Sequence, residues 1–324
     1  MTRFGYFLSC EEYAPQEILE QARLAEEAGF DSLWISDHFH PWTDAQGESA
    51  LVWSMIGAIS QVCDLPVTTA VTCPTVRIHP AIVAQAAATS AVLLGEGRFT
   101  LGIGTGEALN EHVLGDVWPH TAMRLEMLEE SVEVIRKLFT GEVVSHEGTH
   151  YSVDTARLYT VPDSPPPIYM SAFGPKALEV ATRVADGFIT TQPDKESVER
   201  FREAKGADAP TQVGFKVGWA GTRDEGIDVA YERWPNAGLP GELAQVLPSP
   251  KHFEQASELV TRDAFAESGG GAFGPDTADH VAAYEPFVDA GFDEVFVANM
   301  GPHYADMIRA YGSEVLPELR QRFR

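Results

Sequence analysis

The chain has 324 residues, 44% hydrophobic and 22% charged, an ordinary balance for a soluble globular protein. Its 48 acidic against 23 basic side chains leave a formal net charge of −25, a field that repels nucleic acid and anionic membrane surfaces. No run approaches the roughly 20 apolar residues that span a bilayer.

The N-terminus MTRFGYFLS has no secretory core, and Cys10, Cys63 and Cys73 form neither a disulfide framework nor a zinc motif. A reducing cytoplasm is the expected compartment. In chain order, strand and helix patterns alternate. Residues 3–10 read as a strand, and 15–29 as a helix with Ile18, Leu19, Ala22, Leu24 and Ala25 at helical spacing, closed by Gly29. Strands follow at 32–36, 66–72 and 98–105, separated by helices at 50–62 and 79–95. A long amphipathic helix at 122–139 and a small hairpin at 143–153 come next. Then come strand 167–172, helix 175–185, strand 187–191, a helix near 195–204 and strand 213–220. A helix around 277–290, strand 294–300 and an amphipathic tail complete the chain.

These are eight strand candidates, apolar on both faces as buried parallel strands are. Ala28-Gly29-Phe30-Asp31 recurs as Ala290-Gly291-Phe292-Asp293, a helix end followed by a strand start in both places. The expected fold is a single (β/α)8 TIM barrel, with a Pro- and Gly-rich insertion at about 221–276 between the seventh and eighth strands. A doubly wound open sheet is the alternative, but LSCEEYA after the first strand lacks phosphate-binding glycines.

In a barrel, chemistry sits where strands hand over to the following loops. Asp37, His38 and Trp42 stand after strand 2, Cys73 after strand 3, and Gly106, Glu107 and Asn110 after strand 4. SAFGPKA (171–177) follows strand 5, and Thr190 and Thr191 close strand 6. Asp, His, Trp and Glu converging on one mouth make a candidate catalytic constellation. There is no P-loop, nucleophile elbow or HExxH zinc helix, and no metal is expected.

AEEAGFDSLWISDHFHPW, AVTCPT, FTLGIGTGEALNE, SAFGPKALE and ADGFITT resemble the bacterial luciferase-like superfamily. More narrowly, they are similar to its branch using coenzyme F420, a 5-deazaflavin, which includes glucose-6-phosphate dehydrogenases. The resemblance implies that Asp37 contacts the deazaflavin ring and that His38 is the general base. It sets Trp42 and Glu107 beside the reacting centre, with Glu107 a proton donor to the reduced ring, while His40 remains structural. Ala70-Val71 falls where the family carries a non-prolyl cis bulge behind the ring. Cys73, Gly106, Asn110, Thr190, Thr191 and the turn Ala172, Phe173, Gly174, Pro175, Lys176 are implied around the coenzyme's ring edge, phosphate and tail.

Substrate phosphate is implied to meet Lys195, Lys251 and His252, yet AFAESGGGAF (264–273), where the family supplies an arginine, has none. The resemblance therefore implies hydride transfer between F420 and an alcohol or sugar-phosphate substrate by a homodimer. An FMN-dependent luciferase-like monooxygenase and a non-catalytic flavin-binding barrel are the alternatives.

Overall fold

An apolar strand followed by an amphipathic helix leaves a bare strand edge, and eight such units remove every edge by closing on themselves. That is the observed architecture. The computed structural model describes residues 2–323. Eight parallel strands form a closed barrel: β1 (Arg3–Leu8), β2 (Leu33–Ile35), β3 (Val67–Thr69), β4 (Phe99–Ile103), β5 (Ile168–Ser171), β6 (Gly187–Thr190), β7 (Thr211–Val217) and β8 (Glu294–Asn299). They follow chain order round the barrel, and β8 returns to β1 with Arg3 opposite Glu294 and Tyr6 opposite Val297.

The barrel interior is filled by large rings at positions where glycines make room. Trp34 and Phe296 stack with centroids 4.4 Å apart. A Cβ on Gly5 would lie 2.2 Å from the Phe296 ring, and one on Gly214 would lie 2.4 Å from Trp34. Neither ring fits beside a larger residue. Trp34 Nε1 donates to Gln212 Oε1 at 2.8 Å, so the buried indole keeps its polar partner.

The repeated Ala-Gly-Phe-Asp motif does the same work twice. Gly29 and Gly291 end their helices in the left-handed region, at φ 86° and 89°. Asp31 Oδ2 then accepts the backbone N–H of Phe4 at 2.8 Å, and Asp293 Oδ2 that of Thr211 at 2.8 Å. Each aspartate also pairs with an arginine, Arg320 at 3.0 Å and Arg202 at 2.9 Å. These contacts pin strand starts at the barrel floor and leave the opposite rim free for chemistry.

The expected elements need correction in places. The helix expected around 277–290 is two short helices, Thr277–Ala282 and Glu285–Asp289. The break falls where Pro286, lacking an N–H, can only start a new turn. The hairpin pairs Val144–Glu147 with Ser152–Ala156, so its second strand runs past the expected end. The segment after β7 carries helices Arg223–Arg233, Pro250–Ser257 and Arg262–Ser268. They close over an apolar cluster of Ile227, Trp234, Val260, Phe265 and Phe273.

Candidate active site

All the strand-end residues singled out in the sequence rise from one rim. His38 lies at its centre. Its Nε2 faces Glu11 Oε1 at 3.3 Å and Glu107 Oε2 at 3.7 Å. Its Nδ1 meets Asn110 Nδ2 at 3.1 Å. The Trp42 ring is 5.0 Å from the imidazole, and Phe253 stands edge-on to Trp42 at 5.0 Å. Trp42 is thus an apolar wall braced from the segment after β7. His40 Nδ1 is engaged with the Leu109 carbonyl at 3.0 Å, a structural role.

Burial sets the electrostatics. Glu107 lies among low-dielectric walls that push its carboxyl up to about 7, opposed by His38 and assisted by Glu11 and Glu111. It is the outermost of the three, with 30% of its side chain exposed against 12% for His38 and 4% for Glu11. Glu12 is also pushed up to about 7 by burial, against the hydrogen bonds from Trp234 Nε1–H and the Gly301 N–H.

Asp37 lies one layer deeper. Its carboxylate accepts the Thr72 hydroxyl and pairs with Arg77 at 2.9 Å. Arg77 also faces Glu111, whose Oε2 accepts the Arg77 backbone N–H at 2.7 Å. This network ties the loops after β2, β3 and β4 together. The Asp37 side chain has no exposed surface, so its effect on a ligand passes through what it holds in place.

A shelf runs beside this centre. The Ala70–Val71 peptide is cis. A Cβ on Gly104 would lie 2.7 Å from Val71 Cγ2, so glycine there lets Val71 settle on the shelf. Cys73 is buried behind it, with burial pushing its thiol well above the ordinary range. Gly106 adopts φ 86° and lets the chain turn over Glu111. Further along, Ala172, Phe173 and Gly174 lead into the helix Pro175–Val184, whose first turn has no side-chain cap and carries Lys176. Phe173 is 57% exposed. Free N–H groups with a lysine beside them suit an anion. Thr190 is buried at the end of β6, and Thr191 is exposed next to it. A flat apolar shelf leading to an anion-accepting turn fits a flavin-like coenzyme with a phosphate-bearing tail.

None of the basic residues expected at the substrate end makes a hydrogen bond or ion pair with His38. Lys195 starts the helix Lys195–Lys205, is 66% exposed and reaches Glu199 at 3.8 Å. Lys251 is exposed, and the His252 Nδ1 is 2.7 Å from Ser249 Oγ. Phe253, next in sequence, brings this pair to the Trp42 side of the rim. Arg262 is held by Asp228 and Asp224 on the outer helix Arg223–Arg233.

Sequence reasoning missed Glu11, Glu12, Arg77, Glu111 and Lys216. Lys216 is the most unusual of them. Its ammonium lies 4.5 Å from the Phe7 ring centroid and 4.1 Å from that of Trp234, and among the described residues no carboxylate is within 4.0 Å of it. Burial lowers its pKa, against Glu11 and Glu12. Its one trace in the sequence is a lone lysine in the otherwise apolar VGFKVGWA.

Comparison with known proteins places these features in context. The family model described as luciferase-like monooxygenase matches residues 2–222. An F420-dependent glucose-6-phosphate dehydrogenase of Microbacterium testaceum (strain StLB037) is 35% identical over 99% of this chain and 98% of its own. One from Nakamurella multipartita is 34% identical, covering 98% of this chain and 96% of its own. Among solved structures, an F420-dependent secondary alcohol dehydrogenase in complex with an F420-acetone adduct superposes with a TM-score of 0.89 at 31% identity, covering 98% of this chain and 99% of that one.

Proposed function

The chain belongs to the luciferase-like monooxygenase family, and from that premise we propose that it is an F420-dependent oxidoreductase acting on CH–OH groups. The observation that carries this reading is the grouping of His38, Glu11 and Glu107 at the rim, walled by Trp42, next to a flat shelf. F420, when bound, supplies a carbon that takes up or releases a hydride. The chain's own residues are left with positioning, exclusion of water and proton handling.

Val71 and the Ala70–Val71 bulge would back the ring, and the uncapped turn at Gly174 with Lys176 would receive the phosphate. Trp42 shields the reacting carbon from water, and Phe253 fixes the angle of its ring. The hydroxyl proton released on oxidation enters the carboxylate–imidazole cluster, where the Glu107 carboxyl titrates at about 7 and so exchanges protons near neutrality. In the reductive direction the same groups return it.

The substrate that fits best is an unphosphorylated alcohol. An arginine gives a phosphate clamp bidentate contacts that lysine does not reproduce, and Arg262, the nearest one to the expected position, is taken by Asp228 and Asp224. Lys195, Lys251 and His252 remain as a weaker anion-binding arm that a sugar phosphate would use. We place the enzyme in the cytoplasm.

A paired titration of the protein with F420 and with FMN, each followed by a secondary alcohol and by glucose 6-phosphate, tests this. The expected result is binding of F420 in preference to FMN, with bleaching on addition of the alcohol and slower bleaching with the sugar phosphate. Preference for FMN would overturn the coenzyme assignment. Faster bleaching with glucose 6-phosphate would overturn the substrate assignment.

A further inference from the structure

The carboxamide of Asn110 has only one orientation open to it. Its Oδ1 accepts the backbone N–H of Phe39 at 2.9 Å and that of His40 at 3.2 Å. Turning the amide round would set an NH2 group against two N–H donors. Nδ2 therefore faces the other way, 3.1 Å from His38 Nδ1 and 3.3 Å from Glu107 Oε2. Asn110 is only 4% exposed, so water does not compete for these bonds.

An N–H aimed at Nδ1 requires a lone pair there. The neutral imidazole then carries its proton on Nε2, on the side where the Glu11 carboxylate lies at 3.3 Å and that of Glu107 at 3.7 Å, neither in hydrogen-bonding geometry. One contact opposes this arrangement: the His40 carbonyl lies 3.3 Å from Nδ1 and would favour a proton there. That carbonyl is neutral and its contact is long, whereas the Asn110 amide, fixed by two backbone N–H groups, lies closer at 3.1 Å, and a proton on Nε2 stands on the side of two negative carboxylates.

We propose that Asn110 is a positioning residue that locks neutral His38 in its Nε2–H tautomer, so that the imidazole turns an N–H, and not a lone pair, toward the side of Glu11 and Glu107. The inference builds on the hydride-transfer reading of the same site. On oxidation, the substrate O–H bond breaks and its proton passes to a Glu107 carboxylate oxygen. The C–H bond breaks with its electron pair, and the hydride goes to the oxidised deazaflavin coenzyme. The His38 N–H stays in place, and Glu107, with 30% of its side chain exposed, is the most accessible of the three groups. This replaces His38 with Glu107 as the proton acceptor.

The test reads the tautomer directly. Long-range proton–nitrogen NMR on the full chain with labelled histidine gives separate signatures for protonated and lone-pair ring nitrogens. The His38 signals are assigned by their loss in His38→Gln. The wild type at a pH where His38 is neutral is expected to show the proton on Nε2. Asn110→Asp keeps an oxygen for the Phe39 and His40 N–H groups but turns the donor facing Nδ1 into an acceptor. That variant is expected to move the proton to Nδ1 and to shift the acid limb of the kcat/KM profile upward, while its circular dichroism is unchanged. Asn110→Ala, which loses the loop anchor without reversing the bond, should lower activity without that shift.

A wild-type signature with the proton on Nδ1, or an unchanged tautomer in a folded Asn110→Asp, overturns the proposal. Should Asn110→Asp not fold, the wild-type spectrum decides alone. The spectra need neither coenzyme nor substrate, so an error in the proposed reaction would leave them intact.

Discussion

Replacing Glu107 by glutamine should change how stability depends on pH. The folded state raises this carboxyl from 4.5 to about 7, chiefly by burial. The folded protein therefore binds this proton more tightly than the unfolded chain does. Stability falls as pH rises through the window between those values and levels off above the folded value. A shift of that size corresponds to about 3.4 kcal/mol at ~1.36 kcal/mol per pH unit. The side chain keeps 30% of its surface exposed, so solvent screening reduces this to about 2 kcal/mol. A carboxamide in the same place does not titrate. Urea denaturation at pH 5 and pH 8 should show Glu107→Gln gaining about 2 kcal/mol on the wild type across that interval. Parallel stability curves would refute the claim that the fold keeps this carboxyl out of water. The same variant should lose about 10²- to 10⁴-fold in kcat, as removal of a proton-transfer group does.

Three further outcomes follow from the geometry. His38→Ala should abolish most turnover while F420 affinity, measured by fluorescence quenching, changes less than about threefold, since the imidazole faces Glu11 and Glu107 and not the shelf. Lys216→Met keeps the side-chain volume and removes a half-buried ammonium that burial destabilises, so thermal stability should hold or rise; a lower melting temperature would show that its contacts with the Phe7 and Trp234 rings stabilise the fold. Gly214→Ala drives a methyl to 2.4 Å from Trp34, and denaturant titration should show a loss of about 1–3 kcal/mol or more.

Much of the frame was legible because its signals are local. Apolar runs marked the eight strands, and the second Ala-Gly-Phe-Asp reported the same floor contact as the first, with Asp31 and Asp293 each capping a neighbouring strand. The break at Pro286 was also local, and the apolar spacing on either side of it masked the proline. The site was legible only in its outer layer. Asp37, His38, Trp42 and Glu107 stand in motifs, but their partners come from distant segments. Glu11 meets His38 from the loop after β1, and Arg77 meets Asp37 across the loop after β3. No spacing in the chain encodes those encounters. LSCEEYA lacks phosphate-binding glycines, and its informative feature is the pair of adjacent glutamates at a strand end. Lys216 was hidden for another reason: a lysine in a strand reads as an edge or surface residue unless barrel closure turns it inward.

Hydride transfer from the substrate carbon to F420 is tested most directly with an alcohol deuterated at its carbinol carbon. The purified protein, F420 and the labelled alcohol are incubated, and the reduced coenzyme is analysed by mass spectrometry alongside the initial rate. The account predicts one deuterium on the reduced coenzyme and a primary isotope effect on kcat/KM. Reduced coenzyme free of deuterium, or no reduction by any alcohol, would contradict it.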